Sequence, residues 1–201
     1  MKSYSTLFLL LPLLTLAPAV SANADALSLA VDLGSAKQKA ANFSESDTSA
    51  AITLGYQLNA HWSLNLSYTD FGKVFTGSGL LVTEEDYFET QHFLETKALG
   101  LTAQYLTEPL IAEWAFGVRF GLMHVDSDMS YIAPDLMDGF GHSTLDSSTA
   151  LTVGLLAAYP LTEQLDLTVS VDYLAPEVQI YGNSSADVKT TRFALGLKYN
   201  F

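Results

Sequence analysis

The sequence predicts an all-β protein, an eight-stranded antiparallel up-and-down transmembrane β-barrel with short periplasmic turns and long extracellular loops. Three observations predict this fold. Apolar residues alternate with small or polar ones in eight segments of the 201-residue chain, which is the period of a strand with two different faces. The connections between these segments are alternately short and long, and aromatic residues gather at the segment ends, as in outer-membrane barrels.

The first residues are predicted to be a signal peptide, residues 1–22, with cleavage after Ala22 or Ala24. Lys2 precedes a leucine-rich run that a proline interrupts, and small residues follow. This is the order of a secretory signal, and the run is too short for a good spanning helix. The alternative is a buried N-terminal helix. Residues 23–201 are predicted to form one barrel domain with 22 acidic residues and 8 basic ones (9 minus Lys2).

Composition excludes several classes of function. The chain has no cysteine, so disulfides, thiolate metal sites and a lipid-anchored lipoprotein are excluded. The strong excess of acids, with no cluster of bases along the sequence, argues against a nucleic-acid partner.

The eight alternating segments are the predicted strands, and an even number places both chain ends on one side of the membrane. Short connections follow the second, fourth and sixth strands, at residues 59–61, 107–110 and 160–164, and the other connections are long and polar. The predicted strands span residues 27–34, 51–58, 62–69, 98–105, 113–122, 151–159, 165–173 and 192–201.

A water-soluble barrel would also alternate, but its outer face would be the polar one. Here the polar face consists mainly of Ala, Gly, Ser and Thr, which is too small and too weakly charged for a surface in water. The aromatic residues also form two groups by height, which favours a membrane with two interfaces. Those near the short turns are Tyr56, Trp62, Tyr105, Trp114, Tyr159, Tyr199 and Phe201, and those near the long loops are Tyr68, Tyr173 and Phe193.

The last strand is predicted to pair with the first, because an open sheet edge in lipid leaves backbone groups without partners. Its apolar face ends on an aromatic residue and resembles the C-terminal assembly signal of bacterial outer-membrane proteins. That resemblance implies recognition by the outer-membrane assembly machinery. The signal residues are Phe193, Leu195, Leu197, Tyr199 and Phe201.

The whole segment from residue 23 resembles the small eight-stranded family of the OmpA transmembrane domain and OmpX. Residues 55–58 before a short turn, followed by residues 62–72, resemble a common hairpin of that group. The resemblance implies a monomer in the outer membrane of a Gram-negative bacterium, in contact with outer-membrane lipid and lipopolysaccharide.

The parity of the strands places seven charged residues on the inward face: Asp32, Glu113, Arg119, Asp166, Asp172, Arg192 and Lys198. Equal spacing on the last two antiparallel strands predicts two pairs, Asp166 with Lys198 near the short turns and Asp172 with Arg192 near the long loops. Asp32 is placed to share either base. These charges either fill and satisfy a closed interior or form a gate across a narrow pore, as the family resemblance also allows.

A His, an acid and a Ser lie close together at the loop end of the fifth strand, at His124, Asp126 and Ser127. Barrels that trim lipid A use such groups near the rim. However, His124 and Asp126 share the lipid-facing parity and the spacing differs from the deacylase arrangement, so we predict no catalytic residue. His61 is predicted to be interfacial, and His92 and His142 to be solvated.

The predicted long loops combine acids with apolar residues. The run 83–89 and Asp126, Asp128, Asp135, Asp138 and Asp146 are acidic, and Phe75, Leu80, Leu81, Val82, Tyr87, Phe88 and Phe93 are apolar. The segment from Asp126 fails as a calcium loop because the glycine of the sharp turn and the closing glutamate are missing. Bridging of these acids to lipopolysaccharide by divalent cations is a weaker alternative to solvation. We predict no resident metal and no cofactor.

The sequence therefore predicts a non-enzymatic outer-membrane barrel with a structural role in the envelope or an adhesive role through its loops. A host or cell-surface ligand at the loops fits the second role. The alternatives are a narrow gated pore for small solutes and, less favoured, an enzyme that modifies lipid A.

Overall fold

A computed structural model of the protein describes residues 26–40, 43–82, 87–134, 140–144, 147–181 and 184–201. The predicted signal peptide, residues 1–22, and both cleavage sites lie outside the described residues, so they stay predictions. No helix within the described ranges has the length and apolar character needed to cross a membrane.

The described chain is built from strands. Eight of them form a closed antiparallel ring in the order β1-β2-β3-β4-β5-β7-β8-β11, in which β11 pairs with β1. This confirms the predicted barrel and its closure by the last strand. The strands are β1 (Leu27–Ala40), β2 (Phe43–Gln57), β3 (Trp62–Val82), β4 (Tyr87–Leu106), β5 (Ala115–Ile132), β6 (Phe140–Thr144), β7 (Ser148–Pro160), β8 (Leu165–Leu174), β9 (Glu177–Tyr181), β10 (Ser184–Asp187) and β11 (Lys189–Asn200).

The strands on the long-loop side extend much further than predicted. β3 has 21 residues and β4 has 20, whereas about 9–11 residues suffice to cross a bilayer. Residues 35–40, 43–50, 70–82, 87–97 and 123–132, which the sequence assigned to the long connections, are therefore strand. The apolar alternation stops at the membrane edge, but backbone pairing continues into water, where both faces of a strand can be polar.

The pairing of β2 with β3 ends at a bulge. It stops at Ala50 opposite Asp70, and the register shifts between Asp70 and Lys73. Gly72 has φ 82°, and a Cβ there would lie 2.6 Å from the Thr48 carbonyl oxygen, so glycine is required. Above this bulge β3 continues with β4 alone.

Apolar residues face outward and form the lipid-facing surface predicted from the alternation. Leu33, Leu101 and Leu155 are 62%, 61% and 64% exposed in the isolated chain. In water such a continuous apolar surface would be unfavourable, and in a bilayer it is the favoured face. At the short-turn end aromatic residues contact one another, in the pairs Trp62–Tyr105, Trp114–Tyr159 and Tyr199–Phe201.

The interior divides into two regions along the barrel axis. We call the region on the short-turn side the polar half, because small and polar side chains line it. We call the region on the long-loop side the apolar half, because a hydrophobic cluster fills it. The cluster contains Ala36, Phe71, Ala98, Met123, Val125, Ala150 and Leu174, and a second group further out contains Val74, Leu94 and Val188.

Candidate functional site: the barrel interior and the loop-side rim

A bidentate ion pair bridges β5 and β8, the two neighbours of β7, where the two halves of the interior meet. The Arg119 side chain on β5 donates to both carboxylate oxygens of Asp172 on β8, with Nη2 2.6 Å from Oδ1 and from Oδ2. Arg119 Nε also donates to Oδ1 at 3.1 Å. Two parallel donors give this pair both strength and a fixed geometry.

A glycine on β7, Gly154, leaves room for this contact. Gly154 is the cross-strand partner of Arg119 on one side and of Asp172 on the other. A Cβ at Gly154 would lie 2.2 Å from Asp172 Oδ1, so a larger residue would displace the carboxylate. The sequence prediction missed the Arg119–Asp172 pair because it compared adjacent strands only. The sequence did contain an indication of the pair, because Gly154 lies between Arg119 and Asp172 on the intervening strand β7.

Arg192 on β11 completes this group of charges. It lies opposite Asp172 as predicted, but its Nη1 is 3.8 Å from Asp172 Oδ2, further than Arg119. Its Nε donates to Ser49 Oγ at 3.1 Å, and its buried Nη2 has no hydrogen-bond partner among the described residues. Asp172 is thus shared by two arginines.

Asp32 is the second acid at this level. It is 7% exposed and lies opposite Gly196 on β11, where a Cβ would be 2.0 Å from Asp32 Oδ1. Thr168 Oγ1 donates to Oδ1 at 3.4 Å. Asp32 forms no ion pair with a base in the described chain. The prediction that it shares a base directly is therefore wrong, and its negative charge instead balances the two nearby arginines from a greater distance. We call Asp32, Arg119, Asp172 and Arg192 the charge layer.

The other predicted pair lies near the short turns. Lys198 on β11 is the cross-strand partner of Asp166 on β8, with Nζ 3.8 Å from Oδ2. Asn200 Nδ2 also donates to Asp166 Oδ2, at 2.9 Å. The acid of this pair is more exposed than Asp172, with side-chain exposures of 20% against 11%, whereas the two bases, Lys198 and Arg119, are similarly exposed at 18% and 17%.

The predicted position of Glu113 in the interior is wrong. Glu113 is exposed and lies in the turn before β5, with φ 69°, next to Ala112 with φ 47°. A bridge between Ile111 and Trp114 closes this turn. The alternation had extended β5 backward by two residues, because a turn that follows an apolar pattern cannot be distinguished from a strand by parity alone.

The apolar half closes the interior above the charge layer. Phe71 is 1% exposed, Leu174 is not exposed, and both lie in the same cluster as Met123. A buried polar pair further closes this region, since Thr96 Oγ1 donates to Gln38 Oε1 at 2.8 Å and Gln38 Nε2 donates to the Phe71 carbonyl oxygen at 3.3 Å.

Two small cavities lie beside the charge layer. One of about 30 Å³ lies beneath Phe71, Met123 and Leu174. Another of about 40 Å³ extends toward Lys198. Asp32 and Arg119 line both of them. Each cavity holds only a few water molecules.

The His, acid and Ser at the rim of β5 do not converge. His124 and Asp126 face outward, with Nε2 3.7 Å from Oδ1 and side-chain exposures of 54% and 63%. Ser127 is 1% exposed and faces the interior. The sheet therefore separates the hydroxyl from the imidazole, and these three residues do not form a nucleophile–base pair.

Outward-facing charges above the apolar surface differ between two sides of the barrel. On β3 to β5, which we call the mixed-charge sector, bases lie opposite acids. Lys97 has Asp70 and Asp126 as cross-strand partners, and Lys73 has Glu95. On β1 and β11, Lys37, Lys39 and Lys189 lie together, and we call them the lysine triad.

Among the residues described, no group of three or more His, Asp or Glu residues is arranged as metal ligands. Of the acidic positions predicted in the loops, residues 83–86 and Asp135, Asp138 and Asp146 lie outside the described residues.

The sequence was also compared with known proteins. A sequence profile described as outer membrane protein beta-barrel domain matches residues 6–201. The chain belongs to this family. It is accordingly a protein of the bacterial outer membrane, as the alternation and the resemblance predicted. No curated protein sequence matches the chain.

Several solved structures of outer-membrane proteins are similar to this chain in fold. Neisserial surface protein A (NspA) has 18% identity and a TM-score of 0.64, covering 88% of this chain and 97% of its own. Ail, the attachment invasion locus protein of Yersinia pestis, has 14% identity and a TM-score of 0.52, covering 87% and 97%. OprG from Pseudomonas aeruginosa has 16% identity and a TM-score of 0.50, covering 88% and 97%. At these identities the similarity concerns the fold alone.

Proposed function

We propose that this family member is a sealed, non-enzymatic barrel that acts through its extracellular strands, as an adhesive or envelope-stabilising contact surface. The observation that carries the proposal is how the interior is filled. The charge layer occupies the side of the interior formed by β5, β8, β11 and β1, and the buried Phe71 and Leu174 side chains lie above it. Ions cross apolar, dry regions poorly because their hydration is lost.

The extracellular strands supply the contact surface. β3 and β4 continue above the membrane as a long hairpin. On it Phe75, Leu80 and Tyr87 are 40%, 70% and 71% exposed. Phe75 packs edge-to-face against Phe93 at 5.8 Å between ring centroids, and the Lys73 ammonium lies 5.1 Å from the Phe93 ring centroid. Exposed aromatic and apolar residues on a rigid sheet in water favour binding to another surface. Ail is an attachment protein by name, which supports an adhesive role by analogy of fold only.

The first experiment measures conductance of the purified barrel in planar bilayers. We expect no discrete current steps from the wild type, while a porin in the same bilayers confirms that the method detects a channel. Steps that disappear in Arg119→Met/Asp172→Leu would instead identify a pore gated by the charge layer, the main alternative.

The second experiment tests the contact surface. Phe75→Ser/Leu80→Ser/Tyr87→Ser should reduce adhesion of expressing cells to host cells, or their resistance to detergent. A matched control, Leu110→Ser/Ile111→Ser, changes residues that are 66% and 69% exposed at the opposite end of the barrel and should leave both properties unchanged. Equal effects of the two variants would contradict a role of the hairpin.

Mass spectrometry of lipid A from cells with and without this gene tests the enzymatic alternative. An unchanged lipid A profile is expected, because His124 and Ser127 face opposite sides of the sheet. A lost acyl chain or an added group would refute the non-enzymatic role.

A further inference from the structure

The lysine triad has an arrangement that is unfavourable in the absence of a ligand. Lys39 on β1 and Lys189 on β11 are direct cross-strand partners, and Lys37 lies one outward position below Lys39. All three are exposed. Side chains directly opposite each other have Cβ atoms about 5 Å apart, and like charges at this distance destabilise the sheet.

No ion pair offsets this repulsion among the side chains that the structure describes. None of the three lysines forms an ion pair with a described carboxylate. Their partners on β2 are neutral, since Lys37 lies opposite Ser46 and Lys39 opposite Ser44. The mixed-charge sector differs, because there Lys97 contacts Glu95 and lies between two aspartates.

The triad is located just above the lipid-facing surface. Leu33 on β1 and Phe193 on β11 are the last outward apolar residues, 62% and 59% exposed. Lys37 and Lys189 each follow four residues further toward the loops, about 10 Å in height for a strand tilted by roughly 40°. Lysine side chains extend along such a surface to reach the headgroup layer. The ammonium groups of Lys37 and Lys189 are therefore within reach of lipid phosphates in the outer leaflet, and Lys39 lies beside Lys189 as its cross-strand partner.

We propose that Lys37, Lys39 and Lys189 form a binding site for the phosphate groups of an outer-leaflet lipid of the lipid A type. A phosphate between the two opposing lysines replaces their repulsion with two charge-assisted contacts. The height of the site, at the membrane edge, favours a lipid over a soluble polyanion. The site is separate from the interior and from the β3–β4 hairpin, so it does not depend on the function proposed above.

Binding of bisphosphoryl lipid A to the full-length mature barrel in zwitterionic micelles tests the site. Lys37→Gln/Lys39→Gln/Lys189→Gln should weaken the affinity about a hundredfold, since each lysine near an anionic lipid contributes about fivefold. The matched control Lys73→Gln/Lys97→Gln removes lysines from the mixed-charge sector and should change the affinity by less than about threefold. Added salt should reduce wild-type binding.

Stability measurements give a second readout that a merely structural role would not produce. Without lipid A, the triple variant should unfold at the same or a higher urea concentration than the wild type, because the Lys39–Lys189 repulsion is removed. With lipid A, the order should reverse. The different mobility of folded and unfolded barrels in gels confirms that each variant is folded.

Three results would overturn the proposal. The first is equal lipid A affinity of the wild type and the triple variant. The second is equal wild-type affinity for lipid A with and without its phosphates. The third is tighter binding of a sulfated polysaccharide than of lipid A, lost in the triple variant, which would make the triad a site for soluble polyanions.

Discussion

The two halves of the barrel interior are closed by different physical interactions. In the charge layer, Arg119 and Asp172 depend on each other, because both are charged and their side chains are only 17% and 11% exposed. In the apolar half, the side chains of Phe71 and Leu174 are held by packing. An ion pair depends on the presence of both partners, whereas apolar packing depends on the side-chain volume that fills the space. The free energy of unfolding should therefore respond differently to substitutions in the two halves.

The largest effect is expected from Asp172→Asn in the charge layer. The change leaves Arg119 and Arg192 buried without the carboxylate they share, which should lower the free energy of unfolding by about 3–5 kcal/mol. Urea titrations in phospholipid vesicles, followed by the fluorescence of Trp62 and Trp114, measure this loss. Arg119→Met/Asp172→Leu should recover part of the stability, since both members of the ion pair are removed. A loss below about 1 kcal/mol for Asp172→Asn would show that water screens the layer.

A somewhat smaller effect is expected from Leu174→Ala in the apolar half. Leu174 has no exposed surface, and its truncation leaves a cavity that should cost about 2–5 kcal/mol, depending on how far the neighbours relax. The same titration measures it. Leu174→Met, which nearly conserves volume, should cost less than about 1.5 kcal/mol. If the two variants were equally destabilised, packing would not be what closes this half.

The smallest effect is expected from Asp166→Asn, near the short turns. The Asp166 side chain is more exposed than that of Asp172, and Asp166 Oδ2 is 3.8 Å from Lys198 Nζ. Asn200 lies beside them and donates to the same oxygen. The loss should be below about 1 kcal/mol and should shrink further at high salt. A loss as large as that of Asp172→Asn would mean that the polar half is as dry as the charge layer.

The recognition of the last strand by the assembly machinery also stays a prediction. β11 pairs with both β1 and β8; its outward residue Phe193 is 59% exposed, and Phe201, which follows the strand, is 41% exposed. This geometry leaves the predicted signal residues on the lipid-facing side of the closing strand.

The ring of eight strands and its apolar outer face were predictable from the amino-acid sequence. Each depends on a period of two residues, which local sequence records directly. The pairing of Asp166 with Lys198 was also predictable, because the two residues face each other on strands that are consecutive in the ring.

Only the tertiary structure decided how the interior is closed. Arg119 reaches Asp172 across a whole strand, and this required the registers of β5, β7 and β8 to meet at Gly154. The apolar half could not be predicted, because it depends on strands that continue above the membrane, where the outward apolar pattern has already ended. Glu113 was misplaced because parity has no information about where a turn ends. Register and strand length depend on pairing between distant segments, and no single segment encodes them.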